Sequence, residues 1–252
     1  MGKRKNKNNS CITTSRPSDS SSVQDQSRTR QTNKSEIPYH LLAAPNEDAN
    51  TTTRKHLKCG KIQCLSPGTV WVQTNFLSPL ECQEWIAWSD TQWEYTTQRA
   101  TRHMAHRECY RIQRNDERVA QALFDRLQQS GLLARVERDL SYPYADYRPV
   151  AGNPNIRLYQ YGKSMSFGKH IDGSNETAVG QTEITLLVYL SECQGGATRF
   201  YRDSKNSFAF APQVGAVLLH VHGDRCLEHE ADPVLSGTKY VLRSDVCYRR
   251  IS

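Results

Sequence analysis

Residues 183–201 read EITLLVYLSECQGGATRFY, two short apolar or alternating runs around the turn-forming cluster SECQGG. Runs of this length, rich in Ile, Val, Leu, Tyr and Phe and bounded by Gly and Ser, are strand signals and too short for most helices. The same texture continues on both sides. NIRLYQY (155–161) lies upstream, and FAFAP (208–212), AVLLHVH (216–222) and KYVLRSDVCY (239–248) lie downstream. GKSMSFG, RDSKN, PQVG and DPVLSG separate them. Several short strands spaced by such turns predict an all-β sandwich or barrel over 151–252.

The chain before this region has a different pattern. GTVWVQTNFL (68–77) predicts a strand with Val70, Val72 and Phe76 inside, and order is expected from about residue 68. In SPLECQEWIAWSD (78–90), Ser78, Pro79 and Glu81 supply an N-cap, a first-turn proline and a capping box. Leu80, Trp85, Ile86 and Trp88 follow at helical spacing. A second helix is expected over 116–129, with Val119, Ala122, Leu123 and Leu127 as its apolar stripe and Gly131 just beyond its end. The fold class is therefore mainly β with flanking helices: a jelly-roll core at 151–252, packed against an N-terminal helical layer at 68–150.

Residues 1–58 are rich in Ser, Thr, Asn, Gln, Lys and Arg, and cannot bury enough apolar surface to offset chain entropy. They are expected to form a disordered basic and polar tail. That segment holds 11 Lys/Arg against 5 Asp/Glu, so it carries +6 of the net +7 and leaves about +1 for the rest. A near-neutral folded part disfavours nucleic acid as its partner, since phosphate binding requires a basic groove. No apolar run approaches the ~18 residues of a membrane span, and MGKRKNKNN is not followed by the apolar stretch of a secretory signal. The eight cysteines form no C-x-x-C pair. These features predict an intracellular protein, cytoplasmic or nuclear, with free thiols and no membrane association.

KHIDGSNE (169–176) places His170 and Asp172 two positions apart at a strand end. Two histidines and a carboxylate with open positions left over form the facial triad of non-haem iron oxygenases. The downstream candidates for the third ligand are His220, His222 and His229. His220 and His222 alternate along one strand, whereas His229 follows a turn.

With these residues assembled, the run from Asn155 to Tyr248 resembles the catalytic core of the prolyl 4-hydroxylase-like Fe(II)/2-oxoglutarate-dependent dioxygenases. YQYGKSMSFGKHIDGS is similar to that family's Tyr-x-x-Gly…His-x-Asp opening, and LLVYLSECQGGATRFY to its Gly-Gly-x-Thr-x-Phe segment. FAFAPQVGAVLLHVH is similar to its Pro-x-x-Gly-x-Ala strand, and LEHEADPVLSGTKYVLRSDVCY to its closing motif. The resemblance implies that His170, Asp172 and His229 hold Fe(II), with 2-oxoglutarate as cosubstrate and ascorbate as reductant. It implies decarboxylation of 2-oxoglutarate to succinate and CO2, coupled to hydroxylation of a C–H bond, with a prolyl residue of a protein as the leading target. Lys239, ten residues past His229, is the expected anchor of the far carboxylate. Arg243 competes with it, because residues four apart on a strand share a face. Tyr161 matches a cosubstrate-binding tyrosine and reads equally well as a core aromatic. The alternatives are a nucleic-acid demethylase of the same superfamily and a non-catalytic binding module on the same fold.

Overall fold

The computed structural model describes residues 36–38, 59–90, 92–101, 105–140 and 146–251. The expected disordered tail lies outside these residues except at 36–38, where Ile37 is buried and its carbonyl accepts from Arg118 Nη2. Strands and helices alternate in the first half: β1 (Ile62–Ser66), β2 (Val70–Gln73), α1 (Pro79–Ser89), β3 (Glu94–Gln98), β4 (Arg107–Asn115), α2 (Glu117–Gln129) and α3 (Leu132–Asp139). The second half is β throughout, apart from one short 3-10 turn at Gly223–Arg225. It comprises β5 (Tyr147–Gly152), β6 (Asn155–Tyr161), β7 (Phe167–His170), β8 (Glu176–Thr177), β9 (Gly180–Tyr189) and β10 (Cys193–Gly195). It continues through β11 (Thr198–Tyr201), β12 (Ser207–Phe210), β13 (Val217–Val221), β14 (Glu228–Ala231), β15 (Val234–Gly237) and β16 (Lys239–Arg250).

Hydrogen bonding runs in the order β1-β2-β13-β9-β16-β6-β4-β7-β14-β11-β12. This path curls on itself. Tyr189 of β9 shares a hydrogen bond with Thr198 of β11, and the His220 ring of β13 lies 4.4 Å from that of His229 on β14. The core is the jelly roll expected from the strand pattern. Side-chain alternation gives each strand of the larger sheet two environments. On β13, Val217, Leu219 and Val221 face the helices, while Leu218 and His220 face the barrel interior.

The helices cover the outer face of that sheet. Ser78 and Glu81 form the expected capping box, and Asp116 caps α2 through the amides of Arg118 and Val119. Glu81 is buried and paired with Arg126 of α2 at 2.6 Å, which ties the two helices together. Leu80 is 56 % exposed, contrary to the expected stripe. The buried face of α1 runs instead through Glu81, Cys82, Trp85 and Ser89, and Leu80 falls outside it.

Three further expectations need correction. Strand β1 lies ahead of residue 68. The expected helical layer contains strands, and β4 inserts between β6 and β7 in the main sheet. The turn-forming cluster SECQGG holds a strand, because Cys193–Gly195 forms β10 and pairs with β15. Both glycines have positive φ, and a Cβ on Gly195 would lie 2.5 Å from the Pro233 carbonyl.

Gly215 has the most constrained backbone of the turn into β13. Its φ is +74° and a Cβ there would sit 2.0 Å from the Leu77 carbonyl oxygen. The Gly215 carbonyl also accepts from the amides of Phe76 and Leu77. Gly215→Ala is expected to cost about 1–3 kcal/mol from the backbone conformation alone. Thermal denaturation should register about 2–4 °C of Tm loss per kcal/mol.

Candidate active site

His170 ends β7, Asp172 lies two residues beyond it, and His229 sits on β14 directly opposite His170 in the ladder. One ligand atom from each falls within 4.8 Å of the others. His170 Nε2 is 3.7 Å from Asp172 Oδ1, and His229 Nε2 is 3.8 Å from Oδ2. Backbone carbonyls fix both rings. His170 Nδ1 lies 2.8 Å from Gly168 O and His229 Nδ1 lies 2.9 Å from Leu227 O. A carbonyl can only accept, so each Nδ1 carries the proton and each Nε2 presents its lone pair to the carboxylate side.

The electrostatics keep this set in its ligating form. Burial pushes the His170 imidazole down to about 4, with His229 adding to the effect, and burial likewise lowers His229. Both are therefore neutral at physiological pH. Burial opposes the Asp172 carboxylate, but Arg243 and the surrounding histidines overcome it and hold its pKa well below the usual range. Asp172 Oδ2 accepts from Arg243 Nη2 at 2.7 Å and from the Thr185 hydroxyl at 2.8 Å. Two neutral imidazoles and an anchored carboxylate suit a divalent iron.

His220 is a third buried imidazole here, with Nε2 3.6 Å from Asp172 Oδ2 and no hydrogen-bond partner. With Cys226 and His229 it makes a second cluster of potential ligands. Cys226 Sγ faces His229 at Nδ1, the atom already donating to Leu227, so that cluster fits a metal less well. His222 lies behind the site, its Nε2 2.7 Å from the Thr185 hydroxyl.

A cavity opens beside the triad, and its lining includes His170, His229 and Lys239. Lys239 is 3 % exposed, and its Nζ donates to the Gly196 carbonyl at 2.6 Å. Among the described residues no carboxylate forms an ion pair with it. Burial lowers its pKa from 10.5 to about 8. Tyr161 is its ladder partner, and the ammonium lies 5.5 Å from that ring. Arg243 lines the same cavity, with Asp172 at 2.7 Å and Asp245 at 3.8 Å as its counter-charges. So five of the six predicted residues line one cavity, the sixth, Asp172, is bonded to Arg243 of its wall, and the two competing cations are separated: one is paired, one is not. Sequence reasoning did not single out Thr185 or Thr198, which also line it. Each is a buried hydroxyl on an otherwise apolar strand, the signal that would have marked them.

Residues 156–244 match the model of the 2OG-Fe(II) oxygenase superfamily. No curated protein matches the chain by sequence. Among solved structures, the chain is similar to the viral collagen prolyl hydroxylase of Paramecium bursaria Chlorella virus-1 in its 2OG complex. That match has a TM-score of 0.50 and 19 % identity, and covers 71 % of this chain and 95 % of that one. It is also similar to a prolyl hydroxylase from Trichoplax adhaerens in complex with a hypoxia inducible factor oxygen degradation domain peptide fragment. There the TM-score is 0.50 and identity 16 %, covering 71 % and 84 % of the two chains. At these identities the likeness establishes the shared fold. The match of residues 156–244 supports an oxidoreductase of the dioxygenase class, for which Fe(II) and 2-oxoglutarate are the implied cofactor and cosubstrate.

Proposed function

We propose that this oxygenase hydroxylates a prolyl residue of a protein, with iron held by His170, Asp172 and His229. What carries the reading is one cavity beside an oriented His/Asp/His set, with an unpaired, buried lysine in its lining. When bound, iron and 2-oxoglutarate supply the oxidative chemistry. O2 and 2-oxoglutarate become succinate and CO2, and a substrate C–H becomes C–OH. Proline is the proposed target because solved proteins of this fold are prolyl hydroxylases, one of them bound to a peptide. Ascorbate is the proposed reductant.

The protein's own contributions are binding, orientation and exclusion of water. Lys239 meets the far carboxylate of 2-oxoglutarate, because an unpaired buried cation is costly and an anionic ligand offsets that cost. The Tyr161 hydroxyl, whose pKa burial raises well above its ordinary value, stays neutral beside it. Arg243 and Thr185 hold Asp172 in one orientation. Anaerobic addition of Fe(II) and then 2-oxoglutarate should produce the weak visible charge-transfer band of a chelated complex. Succinate should then form on admitting oxygen. Absence of the band in the intact protein would remove the reading. Mass spectrometry of peptides and oligonucleotides after turnover separates protein hydroxylation from nucleic-acid demethylation.

The lysine also predicts a pH dependence. Below about pH 8 the free enzyme's Lys239 is charged and affinity for 2-oxoglutarate is flat. As pH rises through about 8 the charge is lost before binding, and affinity should fall by about tenfold per unit. The effect on folding has the opposite sign. The unfolded chain's lysine binds its proton more tightly, so stability without cosubstrate should rise from about pH 8 toward the unfolded lysine's range. Calorimetric titration and thermal melts across pH 7–10 check both slopes.

A further inference from the structure

Strand β4 lies between β6 and β7, and its Arg111 and Arg107 stand directly opposite Tyr159 and Phe167 in the two ladders. Opposed residues of an antiparallel pair project to the same face, and both aromatic rings line the cavity. The guanidinium carbons lie 5.8 Å from the Tyr159 ring centroid and 5.1 Å from that of Phe167. Both arginines are half-buried and stand behind aromatic rings that line the cavity.

Among the described residues neither of these cations forms an ion pair with a carboxylate. Arg107 donates to the Gln98 side chain at 3.4 Å, and Arg111 to that of Gln113, both neutral amides. Neither Nε–H has a partner. Glu108, between them in sequence, sits on the opposite face of the strand and accepts from the Tyr95 hydroxyl at 2.6 Å. Other arginines around the barrel are neutralised: Arg126 by Glu81, Arg157 by Asp245, Arg199 by Asp232 and Arg243 by Asp172. An arginine pair left without carboxylates beside a reaction cavity is prepared for an anionic group that arrives with the substrate.

We propose that Arg107 and Arg111 bind acidic side chains of the substrate, so that the enzyme selects a peptide with Glu or Asp flanking its target residue. This rests on the protein-hydroxylase reading above. A peptide fits better than a nucleic acid because the arginines are four residues apart on a strand, about 13 Å, which makes two discrete contacts rather than a continuous phosphate track.

The test uses the anaerobic Fe(II)/2-oxoglutarate-loaded enzyme and fluorescein-labelled peptides of about twelve residues, each with one central proline. Their flanks are Glu, Gln or Lys, and a single-stranded oligonucleotide matches the Glu peptide in formal charge. Anisotropy should show the Glu peptide binding at least about tenfold tighter than the Gln peptide, as one or two charge-assisted contacts require. R107Q/R111Q should bring that ratio to near one, and R107E/R111E should shift preference to the Lys peptide. The charge-transfer band should stay unchanged in both variants. Equal binding of Glu and Gln peptides, or no binding to any of them, overturns the proposal, as does a Glu advantage that survives R107Q/R111Q. Tighter binding of the oligonucleotide also overturns it, in favour of nucleic acid. Loss of the band in the wild-type enzyme strikes the metal reading instead, so the two failures are distinct.

Discussion

His170→Ala and His229→Ala are each expected to abolish the charge-transfer band, with metal affinity falling more than the roughly 10–100-fold typical of a change behind the ligands. His220→Phe should keep the band. The three imidazoles surround the same carboxylate, and His220 is as buried as His229, so burial does not single out the ligands. Their second nitrogens do. His170 and His229 donate Nδ1–H to carbonyls at 2.8 and 2.9 Å, which fixes the ring and leaves Nε2 as a lone pair. His220 Nδ1 has its neighbour's carbonyl at 3.3 Å and the Cys226 thiol at 3.9 Å, both longer contacts. His220 also packs edge-on against Phe200, so a phenyl ring there meets an already aromatic wall. If His220→Phe loses the band and His229→Ala keeps it, the ligand assignment is wrong.

Lys239→Ala and Arg243→Ala should fail in different ways. Among the described residues, Lys239 is the one buried cation lining the cavity that has no carboxylate partner, and its removal deletes that charge. The far end of 2-oxoglutarate then remains desolvated and unmatched, a loss of about 2–5 kcal/mol for a buried charge pair. KM for 2-oxoglutarate should rise by about 30-fold or more, while Fe(II) affinity measured without cosubstrate is unchanged. Arg243→Ala removes the donor at 2.7 Å from Asp172 and frees that carboxylate to rotate. Its main effect should be about a 10–100-fold loss of metal affinity. If Arg243→Ala raises KM for 2-oxoglutarate and leaves iron binding intact, the roles are reversed.

The jelly roll was legible because its strands obey a period of two around an apolar interior, as β13 and β9 do. The motif spacing carried His170, Asp172 and His229. Strand β4 escaped notice for a physical reason. Its cavity face is Arg107, Cys109 and Arg111, and among its buried residues only Cys109 and Ile112 are apolar. A strand that lines a polar site does not show the alternation by which strands are recognised. Helix α3 was hidden behind Gly131, read as the end of α2. At φ +76° that glycine turns the chain, and its carbonyl accepts from the amide of Arg135. The choice between Lys239 and Arg243 was open because it depends on Asp172, 71 residues away from Arg243 in sequence. No local pattern encodes which cation meets that carboxylate.

Strand β16 has one further property. It bonds to β6 and β9 along the stretch that carries Lys239 and Arg243, so the spacing of these two side chains is fixed by backbone pitch, about 13 Å for four residues. At one end Arg243 holds the Asp172 carboxylate, and at the other stands the Lys239 ammonium. The strand therefore keeps the proposed metal carboxylate and the proposed anion anchor at a constant separation. A disturbance at one end cannot be absorbed by a shift of the other, because both ride on one paired strand.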